Sequence, residues 1–122
     1  MFRIVYLAWL LTLASCASLP KGTPQWQRSD FLGKTFSLDH PTKIEQITFA
    51  RQSRLAPVTF GQDDGKEIWV CAPLMYWRLR DGRLEVYDYD KTIYERFTLI
   101  SRDEDLVTVT NLKGRKVTYK VK

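Results

Sequence analysis

Histidine occurs once and cysteine twice in 122 residues, so the chain has little of what metal and disulfide chemistry require. With those counts no Cys/His zinc set can be assembled. The one histidine stands in Leu38-Asp39-His40-Pro41. Neighbouring side chains on an extended chain point apart, so Asp39 and His40 make a poor acid–base pair and a turn is the expected role. A Gly-rich phosphate cradle, a serine elbow and a kinase-type motif are all absent from the sequence. Asp88-Tyr89-Asp90 with Glu95 offers oxygen ligands without the glycine and spacing of a calcium loop, and reads as a solvated loop. These absences argue against an enzyme and against a cofactor. No apolar run approaches the roughly 20 residues of a membrane-spanning helix, and no segment sustains a 3.6-residue period. Nor does one sign of charge dominate: 19 basic against 14 acidic side chains give a net +5. That excess suits anionic headgroups, wall polymers or an acidic protein without selecting among them.

What is present begins with Met1-Phe2-Arg3 and an uncharged apolar run at residues 4–14. Its eleven residues are too few to span a bilayer but fit the apolar part of a secretory signal. The run ends in Leu13-Ala14-Ser15-Cys16: a branched aliphatic residue, two small residues and a cysteine. This resembles the lipobox of bacterial lipoproteins. The resemblance implies a signal peptide at 1–15, cleavage before Cys16 and acylation (diacylglyceryl and palmitate-type chains) of that residue. One chain holds only marginally at about 0.8 kcal/mol per methylene, so two or three make a stable membrane anchor. It also implies export to the cell envelope. Ala17, where an aspartate commonly signals inner-membrane retention, favours the outer membrane, with the domain facing the periplasm. Nucleic acid is then not an expected partner. With Cys16 acylated, Cys71 has no disulfide partner and is expected to be a small buried hydrophobe.

Residues 16–29 carry Pro20, Gly22 and Pro24 and read as a lipidated tether, with Trp26 expected to dock on the domain. One helical turn follows, capped by Ser29 or Asp30 and ended by Gly33. From there to residue 122 the pattern is short alternating runs separated by turn residues. Nine strands are expected, at 34–38, 43–49, 56–61, 67–72, 75–80, 83–89, 93–101, 105–111 and 115–121. Asp81-Gly82 fits a two-residue type I′ loop, which places Leu79 opposite Leu84, Trp77 opposite Val86 and Arg78 opposite Glu85. The same logic at Asp64-Gly65 places Phe60 opposite Trp69 and Val58 opposite Cys71. A three-residue loop with left-handed Gly114 sets Val109 against Val117 and Val107 against Tyr119. Phe97 and Leu99 join that apolar face only if the Arg102-Asp103-Glu104 connection holds an odd number of residues or a bulge, and such an irregularity is expected.

An all-β antiparallel meander of eight or nine strands with one wet face must close or nearly close into a small barrel. The order of a one-turn helix, Gly33 at the first strand and a basic last hairpin is similar to lipocalin-like (calycin) barrels. That likeness covers residues 30–122. Trp69, Trp77, Phe60, Phe97 and Tyr119 are expected to fill the interior. Arg78, Arg80, Arg83, Lys113, Arg115, Lys116 and Lys120 are a possible basic interaction surface, or simply the wet face of strands. The expected function is a non-catalytic module that binds an envelope protein or polymer, in assembly, integrity or inhibition. The alternative is a carrier of a small apolar or lipid ligand.

Overall fold

The computed structural model describes residues 22–122. The signal segment and Cys16 lie outside the described residues. Nine strands form one antiparallel sheet: β1 (Thr35–Leu38), β2 (Lys43–Thr48), β3 (Val58–Asp63), β4 (Ile68–Cys71), β5 (Tyr76–Arg80), β6 (Arg83–Tyr87), β7 (Ile93–Asp103), β8 (Leu106–Thr110) and β9 (Lys116–Val121). Their spatial order is β4-β3-β2-β1-β9-β8-β7-β6-β5, a meander in which only β1 and β9 pair out of sequence. The sole helix among the described residues is a 3₁₀ turn, Arg28–Asp30. The cap differs from expectation: neither Ser29 nor Asp30 opens the turn. Gln27 does, and the Asp30 carboxylate reaches back to its N–H at 2.7 Å. Gly33 follows with φ +71°, as an ending in the left-handed region requires.

The sheet curls but is not a fully closed barrel. The register of β3 and β4 runs on beyond both strands: Val58 N–H donates to Pro73 O, Ala56 N–H to Met75 O and Trp77 N–H to Arg54 O. The two ends of the sheet are therefore laced together near β5, while β4 itself pairs only with β3. The β3–β4 hairpin leaves the curled body as a flap.

Alternation fills the concave face. Phe36, Ile47, Phe49, Val58, Trp77, Leu84, Val86, Phe97, Leu99, Val107, Val109 and Tyr119 are all buried. The entering segment plugs one end. Trp26 is buried, stacked on Phe36 at 6.2 Å, with its indole N–H bonded to Phe97 O at 2.9 Å. Phe31, fully buried, meets Trp77 edge-on at 4.9 Å. Trp26 thus docks on the domain, and the folded body begins within the stretch expected to be tether. Arg102 holds the same segment from β7, bonding Asp30 at 2.9 Å and the Gln25 carbonyl.

Two of the three expected registers are found. Asp81 and Gly82 have φ +53° and +75°, and Leu79–Leu84, Trp77–Val86 and Arg78–Glu85 are partners. Gly114 has φ +79°, with Val109 opposite Val117 and Val107 opposite Tyr119. An irregularity is present, but inside β7 rather than in the 102–104 connection: the pairing with β8 shifts between Leu99 and Ser101. Ile100 is the extra residue, and by absorbing it Phe97 and Leu99 reach the same interior as Val107 and Val109.

The third register is a correction. Phe60 pairs with Cys71 and Gln62 with Trp69, a shift of two residues. Asp64 causes it: its carboxylate accepts the Lys66 and Glu67 N–H groups, both at 2.9 Å, while Asp63 accepts that of Gly65. Those bonds turn residues 64–67 into a four-residue loop. Cys71 and Trp69 keep the expected face but lie on the flap, beyond the body. Cys71 is therefore exposed rather than buried, and Trp69, at 48 %, does not fill the interior.

Candidate functional site

Outward-facing side chains of β5 to β9 bring most of the expected basic residues together. Arg80 pairs with Arg83, Thr98 with Thr110, and Thr110 with Lys116, so one row crosses the convex face. Arg78, Lys116 and Lys120 share that face by alternation, while Lys113 and Arg115 sit in the β8–β9 turn, where Asn111 accepts both their N–H groups. Part of the charge is answered from within. Glu85, 1 % exposed, accepts Arg78 Nε at 2.7 Å and Arg96 Nε at 2.6 Å. Burial alone raises this carboxyl, and the two guanidiniums outweigh burial and hold it below the ordinary 4.5. Arg83 bonds Thr98 Oγ1 and the Asp81 carbonyl, and Lys120 lies 3.7 Å from Asp39. Arg80, Asp81, Arg83, Glu85 and Arg96 line a shallow hollow of about 160 Å³ in which three cations meet two acids. Arg80, Arg83, Lys113, Arg115 and Lys116 have no carboxylate ion pair among the described residues, so this surface is neutralised around Glu85 and stays basic elsewhere.

The interior beyond the aromatic plug is polar. Glu45 on β2 accepts the hydroxyls of Tyr94, at 2.9 Å, and of Tyr119. Burial, then the charge of Glu45, pushes both phenols well above the usual tyrosine range, so both stay protonated and donate. Glu95, raised mainly by burial, accepts the Leu112 N–H and feels Glu45 nearby. Phe60 packs on Tyr94 at 5.9 Å and on Trp69 at 6.2 Å, making an aromatic wall that leads from this cluster to the flap.

The flap carries the feature that sequence reasoning did not single out. Every residue of β4 is exposed: Ile68 69 %, Trp69 48 %, Val70 50 %, with Cys71 beside them and Leu74 at 52 % just beyond. Both faces of an edge strand are thus apolar and wet. Its outer edge pairs with no strand among the described residues. The signal was Ile68-Trp69-Val70-Cys71 itself, four apolar residues running without alternation along one strand.

The other residues considered for chemistry serve turns. His40 Nδ1 accepts the N–H groups of Thr42, at 3.1 Å, and Lys43, at 2.9 Å, closing the β1–β2 connection. Asp88 accepts from Asp90 and Thr92, and Asp90 from Thr92, so these carboxylates are spent on their own backbone. The hydrogen bond from Asp88 holds Asp90 down to about 2 and raises Asp88 in turn. Among the described residues no three His, Cys, Asp or Glu side chains converge as metal ligands, and no helix is long and apolar enough to cross a membrane. No protein-family model, curated protein or solved structure matches the chain.

Proposed function

We propose that this chain is a lipid-anchored, non-catalytic envelope lipoprotein whose small lipocalin-like barrel binds an envelope protein by adding one of its strands to β4. In this reading residues 1–15 direct export, acyl chains on Cys16 hold the domain at the outer membrane, and residues 17–25 space it from the bilayer on the periplasmic side. The exposed apolar edge strand carries the reading. A free edge offers a row of unpaired backbone groups, and proteins blunt such edges with charge or proline unless a partner covers them. Here Ile68, Trp69 and Val70 leave both faces of the edge apolar.

The test is a photo-crosslinking amino acid placed at Val70 in cells, with Thr118 on the far side of the sheet as control. A discrete adduct from position 70 alone, lost when Ile68→Lys is added to the same chain, is the expected result. Equal adducts from both positions, or an adduct indifferent to that lysine, would defeat strand addition. Anchoring has its own readout, the added mass of acyl groups on a mature N-terminal Cys16.

Carriage of a small apolar or lipid ligand is the second reading. The aromatic wall of Phe60, Trp69 and Tyr94 favours it. It ranks lower because the Glu45 carboxylate with its two phenols crosses the interior just beneath, where an acyl chain needs apolar surroundings.

A further inference from the structure

Arg28, Arg51 and Arg54 come together where the chain enters the sheet, outside the basic surface described above. Arg28 is the first residue of the 3₁₀ turn that Gln27 caps, and the other two stand in the connection between β2 and β3. With Leu32, Gln52, Ser53 and Trp77 they line a depression of about 250 Å³, three guanidiniums and no carboxylate. Their positions are prepared. Arg54 Cζ lies 4.6 Å and Arg28 Cζ 5.9 Å from the centroid of the Trp77 indole, which is buried and anchored through its N–H to Ser53 O at 3.1 Å. Gly33 makes room for the third: a Cβ there would come within 3.0 Å of Arg51 Nε.

Arg28, Arg51 and Arg54 have no carboxylate partner among the described residues, and, unlike Arg80 and Arg83, whose hollow also holds Asp81 and Glu85, they line a depression without any acid. Three like charges held around one depression repel one another, and a bound anion relieves that repulsion. The guanidinium fork matches the oxygens of phosphate better than a point charge does. A volume of about 250 Å³ falls below the roughly 300–1,000 Å³ of pockets that enclose a whole small molecule, so the depression suits one group rather than a complete cofactor.

We propose that the Arg28, Arg51 and Arg54 depression binds a phosphate group, presented by the headgroups of an anionic phospholipid bilayer. Arg28 is a dozen residues beyond Cys16, and an extended chain reaches about 3.3–3.6 Å per residue, so a lipid on Cys16 keeps the depression within about 40 Å of the bilayer. The lipid source rests on the anchoring proposed above, and the phosphate chemistry does not.

The experiment uses the native chain purified in nonionic micelles, with the Trp77 indole and arginine Nε–H resonances followed by NMR. Phosphatidylglycerol, phosphatidylcholine and, in a lipid-free arm, inorganic phosphate are titrated in turn. Phosphatidylglycerol is expected to shift these resonances, and Arg28→Gln/Arg51→Gln/Arg54→Gln to weaken its binding about 100-fold, from roughly fivefold per cation. Arg115→Gln/Lys116→Gln/Lys120→Gln, which removes as much charge elsewhere, is expected to weaken it far less. A response to inorganic phosphate but not to phosphatidylglycerol keeps the phosphate site and overturns the lipid source. Equal losses in the two triple variants, an equal response to phosphatidylcholine, or no shift with any probe overturns the proposal. Failure of acylation at Cys16 is read separately by mass, so the two ideas fail independently.

Discussion

The β3–β4 and β5–β6 hairpins carry the same Asp-Gly signal and similar apolar side chains, yet one stands in water and the other is built into the core. At Asp81-Gly82 both residues take positive φ, the turn is two residues long, and Trp77, Leu84 and Val86 are buried. At Asp64-Gly65 only Gly65 has positive φ, and the Asp64 side chain draws Lys66 and Glu67 into the loop. The difference lies less in the dipeptide than in the residues on its C-terminal side. After Gly82 comes Arg83, paired at once with Arg80, while Lys66 and Glu67 are captured by the aspartate before they can pair. Side-chain bonds to local backbone thus decide register where strand pairing alone is weak.

The sharpest break of this comparison is a pair of tryptophan truncations. Trp77→Ala opens a cavity among Phe31, Arg54 and Val86 and is expected to cost about 3–5 kcal/mol, enough to unfold much of a marginal domain. Trp69→Ala, on the flap, is expected to change stability by no more than about 0.5 kcal/mol. Urea unfolding of the two variants decides it. Similar losses would mean that the flap packs on the body in solution.

Much of the fold was legible because its determinants are local. Nine strands, the Asp81-Gly82 and Gly114 turns and the need for a bulge before residue 105 all follow from alternation and from residues that take positive φ. The β3–β4 register was harder, since Asp64 satisfies donors two and three residues ahead. Gly61 held a clue, because a Cβ there would lie 2.1 Å from the Trp69 carbonyl. That the basic residues on β5, β6 and β9 share a face with Glu85, which pairs Arg78 on β5 and Arg96 on β7, follows from cross-strand pairing that no single segment reveals. Arg28, Arg51 and Arg54 could not be grouped in advance. They belong to a turn and a loop joined only by packing around Trp77 and Gly33.

Glu85 extends the contrast to charge. Glu85→Gln removes a buried carboxylate that two guanidiniums need. Breaking a fully buried pair costs about 3–5 kcal/mol, and since Arg96 is 38 % exposed and can turn to water, about 2 kcal/mol is expected at pH 7. The sign with pH follows from the depressed carboxyl. Its contribution is complete above the ordinary 4.5 and is lost as pH falls through the lower folded-state value. The gap between wild type and variant should therefore narrow as pH falls below 4.5 and through the lowered folded-state value. A gap that persists there would assign the effect to packing.

The entering segment belongs with the buried side of the comparison, and Trp26→Phe measures how firmly. Phenylalanine keeps most of the contact with Phe31 and Phe36 but loses the bond to Phe97 O, leaving a buried carbonyl with one partner fewer. About 1 kcal/mol is expected. Hydrogen exchange at residues 26–33 should rise before that of β5 and β6; protection that is unchanged would show the segment held chiefly by Arg102.

The smallest effect is at Glu95, whose titration runs opposite to that of Glu85. Burial, with Glu45 adding to it, raises this carboxyl, so the folded state favours the protonated form and the ionised form is a liability at neutral pH. Stability from protonation is complete below the ordinary 4.5 and lost as pH rises through the raised value. Glutamine keeps an oxygen for the Leu112 and Arg96 N–H groups and turns its amide protons toward the Glu45 charge. Glu95→Gln is therefore expected to stabilise by up to about 0.5 kcal/mol at pH 7, with the gain vanishing toward pH 4. A loss at pH 7 would mean that Lys113, whose charge also acts on Glu95, holds the carboxylate more strongly than burial disfavours it.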